Sequence, residues 1–142
     1  MANRIKKGDS PTSTGSVHKD KQLPDDLLRF SFRHFQTTAK WCLPGSDEKP
    51  NYTEKLLERL RDVSSLSVSE FRTARNRVLR AHLHVWEGTT EPNGYAHLSE
   101  QLRQCEPWQF ALSVNEHGRI HGILIDEVFY VVWLDHDHKM YE

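Results

Sequence analysis

The chain has 142 residues, 27% of them charged and 37% hydrophobic, with a formal net charge of -1, which is room for one ordinary domain and little more. A balance so close to neutral excludes a protein that is basic throughout, so any nucleic-acid surface must be local. Cys42 and Cys105 stand alone without CxxC spacing, which argues against a zinc knuckle or a disulfide framework and for reduced thiols. No apolar run approaches the roughly 18 residues a membrane span needs, and the N-terminus lacks a signal-peptide core. The expected location is the cytoplasm.

Residues 1–24 hold five Lys/Arg against two Asp, among Ser, Thr and Gly. Such a segment buries too little apolar surface to offset its ordering entropy, so it is predicted to be a disordered tail before a single domain at 25–142. Residues 27–35 (LLRFSFRHF) place Phe30, Phe32 and His34 on one face, the alternation of a strand that pairs with the C-terminal part of the chain. Residues 36–50, with Pro44, Gly45 and Pro50, read as a long loop. Asn51 and Glu54 then have capping-box spacing, and Leu56, Leu57, Leu60 and Val63 form the apolar stripe of a helix. Ser67 and Glu70 repeat the box, predicting a second helix from Val68 to about Leu79 that buries Phe71 and Val78, with Ala74 allowing close approach. Two amphipathic helices in sequence form an αα-hairpin that must cover a sheet face.

Between residues 72 and 84 lie Arg72, Arg75, Arg77, Arg80, His82 and His84, with no acidic residue. A solvated helix face is the ordinary explanation, but such faces usually mix signs; a single-signed stretch suits the backbone of RNA. Residues 85–95 read as a polar linker and 96–104 as a helical turn. The last third is a meander: a strand with Trp108, Phe110, Leu112 and Val114 on one buried face, a turn through Asn115 and Gly118, a strand at 120–125, and a turn at Asp126 and Glu127. Residues 128–134 (VFYVVWL) are apolar throughout, as in a central strand covered on both faces. The predicted fold is α+β, an antiparallel sheet of the N-terminal strand plus the three-stranded meander, with the αα-hairpin on one face.

Three histidine pairs stand out: His82/His84, His117/His121 and His136/His138. His136 and His138 would point to one side of an extended tail and share a metal, but no third ligand can be named, and loop histidines are more often solvated. The stronger chemistry is metal-free. Histidine titrates near neutrality and suits proton transfer, while Arg119 at a strand start can hold a scissile phosphate, or else pair with Glu116 or Asp126 across its hairpin. Tyr141 adds a phenol or a base-stacking surface, whereas Tyr130 and Trp133 read as core.

The order β-α-α-β-β-β, the Gly118-Arg119-Ile120 entry into a strand, and a last strand running into His138 and Tyr141 resemble the RelE/YoeB family of bacterial toxins. Its members are ribosome-associated endoribonucleases, each neutralised by an antitoxin. The resemblance, which spans about residues 27–141, implies a RelE-like fold in which Arg119 contacts the scissile phosphate and His138 acts as general acid or base, with His136 and Tyr141 beside it. RNA would be cleaved by attack of its own 2′-hydroxyl, without metal or cofactor; the implied partners are mRNA, on or off the ribosome, and a cognate antitoxin. Two residues separate His138 from Tyr141, and the family's catalytic glutamate or lysine has no assigned counterpart, Glu87, Glu116 and the arginines of the second predicted helix being candidates. Two other readings compete: a non-catalytic module that binds nucleic acid or protein through an open sheet face, and a metal-dependent hydrolase built on the His/Asp-rich C-terminal tail.

Overall fold

The computed structural model describes residues 26–37, 40–45, 47–74, 79–114 and 116–141; the predicted N-terminal tail, and Arg75, Arg77 and Val78, lie outside the described residues. The elements are β1 (Arg29–Ser31), α1 (Tyr52–Val63), α2 (Val68–Arg72), β2 (His82–Leu83), a 3-10 turn (Trp86–Gly88), α3 (Glu100–Arg103), β3 (Glu106–Ala111), β4 (Arg119–Ile125) and β5 (Val128–Asp135). They form one five-stranded sheet in the order β1-β5-β4-β3-β2. The α+β class holds, with two corrections to the sheet.

First, the sheet is mixed: β1 runs parallel to β5, pairing Phe30 with Phe129. Only Arg29–Ser31 of the segment 27–35 pair with β5, because the chain turns immediately afterwards and the Phe35 amide closes on the Phe32 carbonyl at 3.1 Å. The turn leaves Phe30 on the core and Phe32 exposed. Second, a fifth strand, β2, lies in the arginine-histidine stretch and pairs antiparallel with β3. Two residues are too few for a period-2 pattern to register.

α1 buries Tyr52, Leu56, Leu60 and Val63 but leaves Leu57 exposed, because the i, i+4, i+7 positions already fill the stripe. Its capping box does not form; Asn51 caps in a left-handed conformation without a side-chain hydrogen bond. The box at α2 does form: Glu70 N–H donates to Ser67 Oγ at 3.1 Å and Ser67 N–H donates to Glu70 Oε1 at 2.8 Å. α2 nevertheless ends at Arg72, well short of Leu79, with Thr73 as its C-cap. Phe71 from this one turn is fully buried and meets Trp108, Phe110 and Phe129.

The helices cover one face of the sheet, over Trp108, Phe110, Ile120, Leu124, Phe129 and Leu134. The other face is also covered. The segment expected to be a polar linker packs Trp86 and Tyr95 against Ile123, Val132 and Trp133, joined by Trp41, Leu102 and Met140. A bulge between β4 and β5, opposite His121 and Gly122, places the adjacent residues Val132 and Trp133 in this second cluster. This is why β3 buries Gln109 and Ala111 as well as Trp108 and Phe110, where one-faced burial was expected. β5 is buried almost throughout, as VFYVVWL implies.

Candidate functional site

The second face carries polar residues where a core would normally be apolar. In β4 the period-2 rule puts Arg119 and His121 on this face. The register sets Gln109 opposite His121 and Asp135 opposite Arg119. Arg119, His121, Gln109 and Asp135 are each at most 6% exposed.

These groups form a line. The Tyr141 hydroxyl lies 2.8 Å from His84 Nδ1, and His84 Nε2 lies 2.8 Å from His121 Nδ1. His121 Nε2 then faces Asp135 Oδ2 at 3.8 Å, an ion-pair distance longer than a hydrogen bond, and has no hydrogen-bond partner among the described residues. Asp135 accepts the backbone N–H groups of Lys139 and Met140, both at 2.8 Å. Burial opposes its ionisation, but His121 and the two N–H groups hold the carboxyl below its usual range. Burial, and then the neighbouring His121 and His82, push His84 down to about 2. Burial also lowers His121, against the pull of Asp135. Both imidazoles are therefore neutral near pH 7, and the carboxylate selects their tautomers. His121 turns Nε2–H toward Asp135 and accepts His84 Nε2–H on Nδ1, and His84 accepts the Tyr141 hydroxyl proton on its own Nδ1. Trp86 stacks on His84 at 4.3 Å with rings 9° apart.

This line pins the tail. The Met140 carbonyl accepts Thr90 N–H at 2.7 Å, the Met140 side chain is fully buried, and Val85 N–H reaches the Tyr141 oxygen at 3.4 Å. His138 sits between these anchors, its N–H on the Asp135 carbonyl at 3.2 Å and its φ at 56°, with an exposed side chain. Burial first, then the charge of Arg119 and more weakly that of Arg80 lower its pKa, against Asp135. Arg119 itself is lowered by burial and by Arg80, with Asp135 opposing, and its Nη1 donates to the Gly118 carbonyl at 3.2 Å. Gly118 makes this corner possible, because at φ 73° a Cβ there would lie 1.8 Å from the Asp135 carbonyl oxygen.

The expected site residues thus divide. Arg119 and Arg80 act on His138 by their charge, while Tyr141 meets His84, level with Pro107 and Ile123 and so four residues along the sheet from Arg119. His82 lies edge-on to Tyr141 at 6.4 Å. Arg72 is elsewhere, bound to Glu106 at 2.6 Å and set over Trp108. His136 points away from His138 to Glu48 at 3.1 Å and Asp137 at 3.4 Å. Glu48, His136 and Asp137 place their ligand atoms within 4.8 Å of one another, while Lys49 binds Asp137 at 3.3 Å. His84, just past β2, meets His121 of β4 across the sheet. Asp135, Gln109 and Trp86 were not singled out as site residues, and His121 only as half of the His117/His121 pair. The available signal was a histidine two residues from Arg119 inside a strand buried on both faces.

Compared with known proteins, the chain matches no family model, no curated protein and no solved structure.

Proposed function

We propose that the chain is an endoribonuclease of the RelE-like kind, which cleaves mRNA by metal-independent acid–base chemistry and is restrained by a cognate antitoxin. One observation supports the reading: an exposed His138, its pKa lowered by burial and then by the charges of Arg119 and Arg80, stands on a tail fixed through Asp135 and Tyr141. Two such charges suit an anion, and a phosphodiester is the anion whose cleavage needs a neutral base.

His138 takes the proton of the 2′-hydroxyl, the 2′-oxygen bonds to phosphorus, and the P–O5′ bond breaks. The 5′-oxygen takes a proton from solvent, leaving a 2′,3′-cyclic phosphate and a 5′-hydroxyl. Arg119 and Arg80 hold the phosphate as negative charge grows on its oxygens. The Tyr141–His84–His121–Asp135 line positions the tail that presents His138.

The test is cleavage of RNA, free and on ribosomes, by the full chain with EDTA present. Cyclic-phosphate ends from the wild type, lost in Arg119→Ala and His138→Ala, are the expected result. No cleavage by the wild type, or undiminished cleavage by both variants, would sink the reading. The Glu48–His136–Asp137 triad favours a second reading, a metal-dependent hydrolase. Loss of activity in EDTA, restored by zinc or manganese and abolished by His136→Ala, would favour it instead.

A further inference from the structure

Residues 138–141 lie against the second face and close its polar line from outside. Lys139 and Met140 donate their N–H groups to the two oxygens of Asp135, both at 2.8 Å. Met140 is the one buried side chain of the segment and joins the cluster of Trp41, Tyr95 and Trp133. Its carbonyl takes Thr90 N–H at 2.7 Å. The Tyr141 ring lies parallel to that of His84 at 5.8 Å, with its hydroxyl 2.8 Å from Nδ1. His136, just before the segment, is held separately by Glu48 and Asp137. One apolar side chain and a few hydrogen bonds thus fasten a stretch outside every strand of the sheet, the kind of stretch that opens locally before the fold does.

His84 and His121 cannot both be charged while the segment is in place. Their facing nitrogens, Nε2 and Nδ1, are 2.8 Å apart, so one of them must be a bare acceptor; with both rings protonated, two N–H groups would meet head-on. A single charge is also disfavoured, because both rings are buried. His84 is faced by His82 and His121 and by the rings of Trp86, Tyr95 and Tyr141. His121 is faced by Gln109 of β3 and by the charges of Arg119 and His138, with Asp135 opposing.

We propose that residues 138–141 are an acid-released strap: protonation of His84 and His121 lifts the segment off the second face while the strands beneath it stay paired. The strap stands apart from the nuclease reading, although lifting it also displaces His138. Without Tyr141, His84 and then His121 behind it meet water, where an imidazole titrates near 6.5. The lifted state then binds more protons than the closed one, so lifting becomes more favourable as pH falls below 6.5. The gain is about tenfold per pH unit for each ring that charges.

The test is amide hydrogen exchange of the full chain, followed by NMR at pH 7, 6 and 5 and corrected for the intrinsic pH dependence of exchange. Asp135 stays ionised over this span, since its carboxyl is held below its usual range. The amides of Lys139, Met140 and Thr90 should lose protection at least tenfold between pH 7 and pH 5, and at each pH should be less protected than amides in the middle of α1 and β4. His84→Gln, whose side chain cannot charge, should reduce that loss several-fold. Tail amides as protected as those of β4, protection that does not change with pH, or an undiminished loss in His84→Gln would overturn the proposal. The first two outcomes are read on the wild type and hold whether or not the variant folds.

Discussion

The two faces of the sheet are built from the same strands but differ in kind. Toward α1 and α2, Phe71, Phe110 and Phe129 meet at ring separations of 5.2 to 5.8 Å in an apolar layer. On the other side, Gln109, Arg119, His121 and Asp135 are buried as deeply, and His121 Nε2 lacks a hydrogen-bond partner among the described residues. A buried polar atom without a partner costs roughly 1–3 kcal/mol. Aliphatic side chains would fill this layer without that cost. Both faces bury apolar side chains, but among the described residues this buried polar group lies on the second face.

His138→Ala breaks the comparison most sharply. Loss of a general base should lower RNA cleavage by about 10²- to 10⁴-fold, while the melting temperature stays within error, because the side chain is exposed. Cleavage rates and thermal melts on one preparation test both halves. Phe71→Ala is the counterpart on the apolar face. Truncating a fully buried Phe should cost about 3–5 kcal/mol in urea unfolding. A cost below about 1 kcal/mol would mean that α2 does not anchor the core.

The pH dependence of stability sharpens the contrast, because the second face buries two histidines, His84 and His121. His84 is held neutral in the fold, down to about pH 2, but in the unfolded chain it takes up a proton below about pH 6.5. The unfolded state thus binds more protons, and stability must fall as pH drops below 6.5. The slope is about 1.4 kcal/mol per pH unit for each such histidine once the unfolded ring is fully protonated. His121 is displaced in the same direction; Asp135, also lowered, adds its own loss only below its ordinary range near pH 4. Urea unfolding at pH 7, 6 and 5 should show the decline, and His84→Gln should remove about one histidine's share of it. A flat profile would mean that His84 is solvated. In cleavage, the acid limb should lie below pH 6.5, since His138 is lowered as well.

Much of the apolar architecture was legible in the sequence because it is periodic. The stripe of α1, the capping box of α2 and the apolar run of β5 each follow from local spacing. The second face was not, because its parts are far apart in the chain: His84 and His121 meet across 37 residues, and Tyr141 reaches His84 across 57. The parallel pairing of β1 depends on where the chain turns after Ser31, and β2 is too short to alternate. Arg119, His138 and Tyr141 stood out as polar groups at strand margins. Asp135 did not, since a strand-end aspartate usually faces water, and its role depends on the tail folding back to place the Lys139 and Met140 amides on it.

The smallest expected effect tests whether the two faces are independent. Ser67→Ala removes the side-chain half of the α2 capping box, a loss of about 1 kcal/mol. α2 packs on the apolar face, where its one core residue is Phe71, and none of the contacts that hold His138 passes through it. Urea unfolding should therefore register the loss while the cleavage rate, the acid limb and the His138-dependent step stay unchanged. If cleavage falls along with stability, strain in the helical layer reaches Arg119 and the pinned tail through the strands they share. The polar face would then be a working part of the core instead of a separate layer upon it.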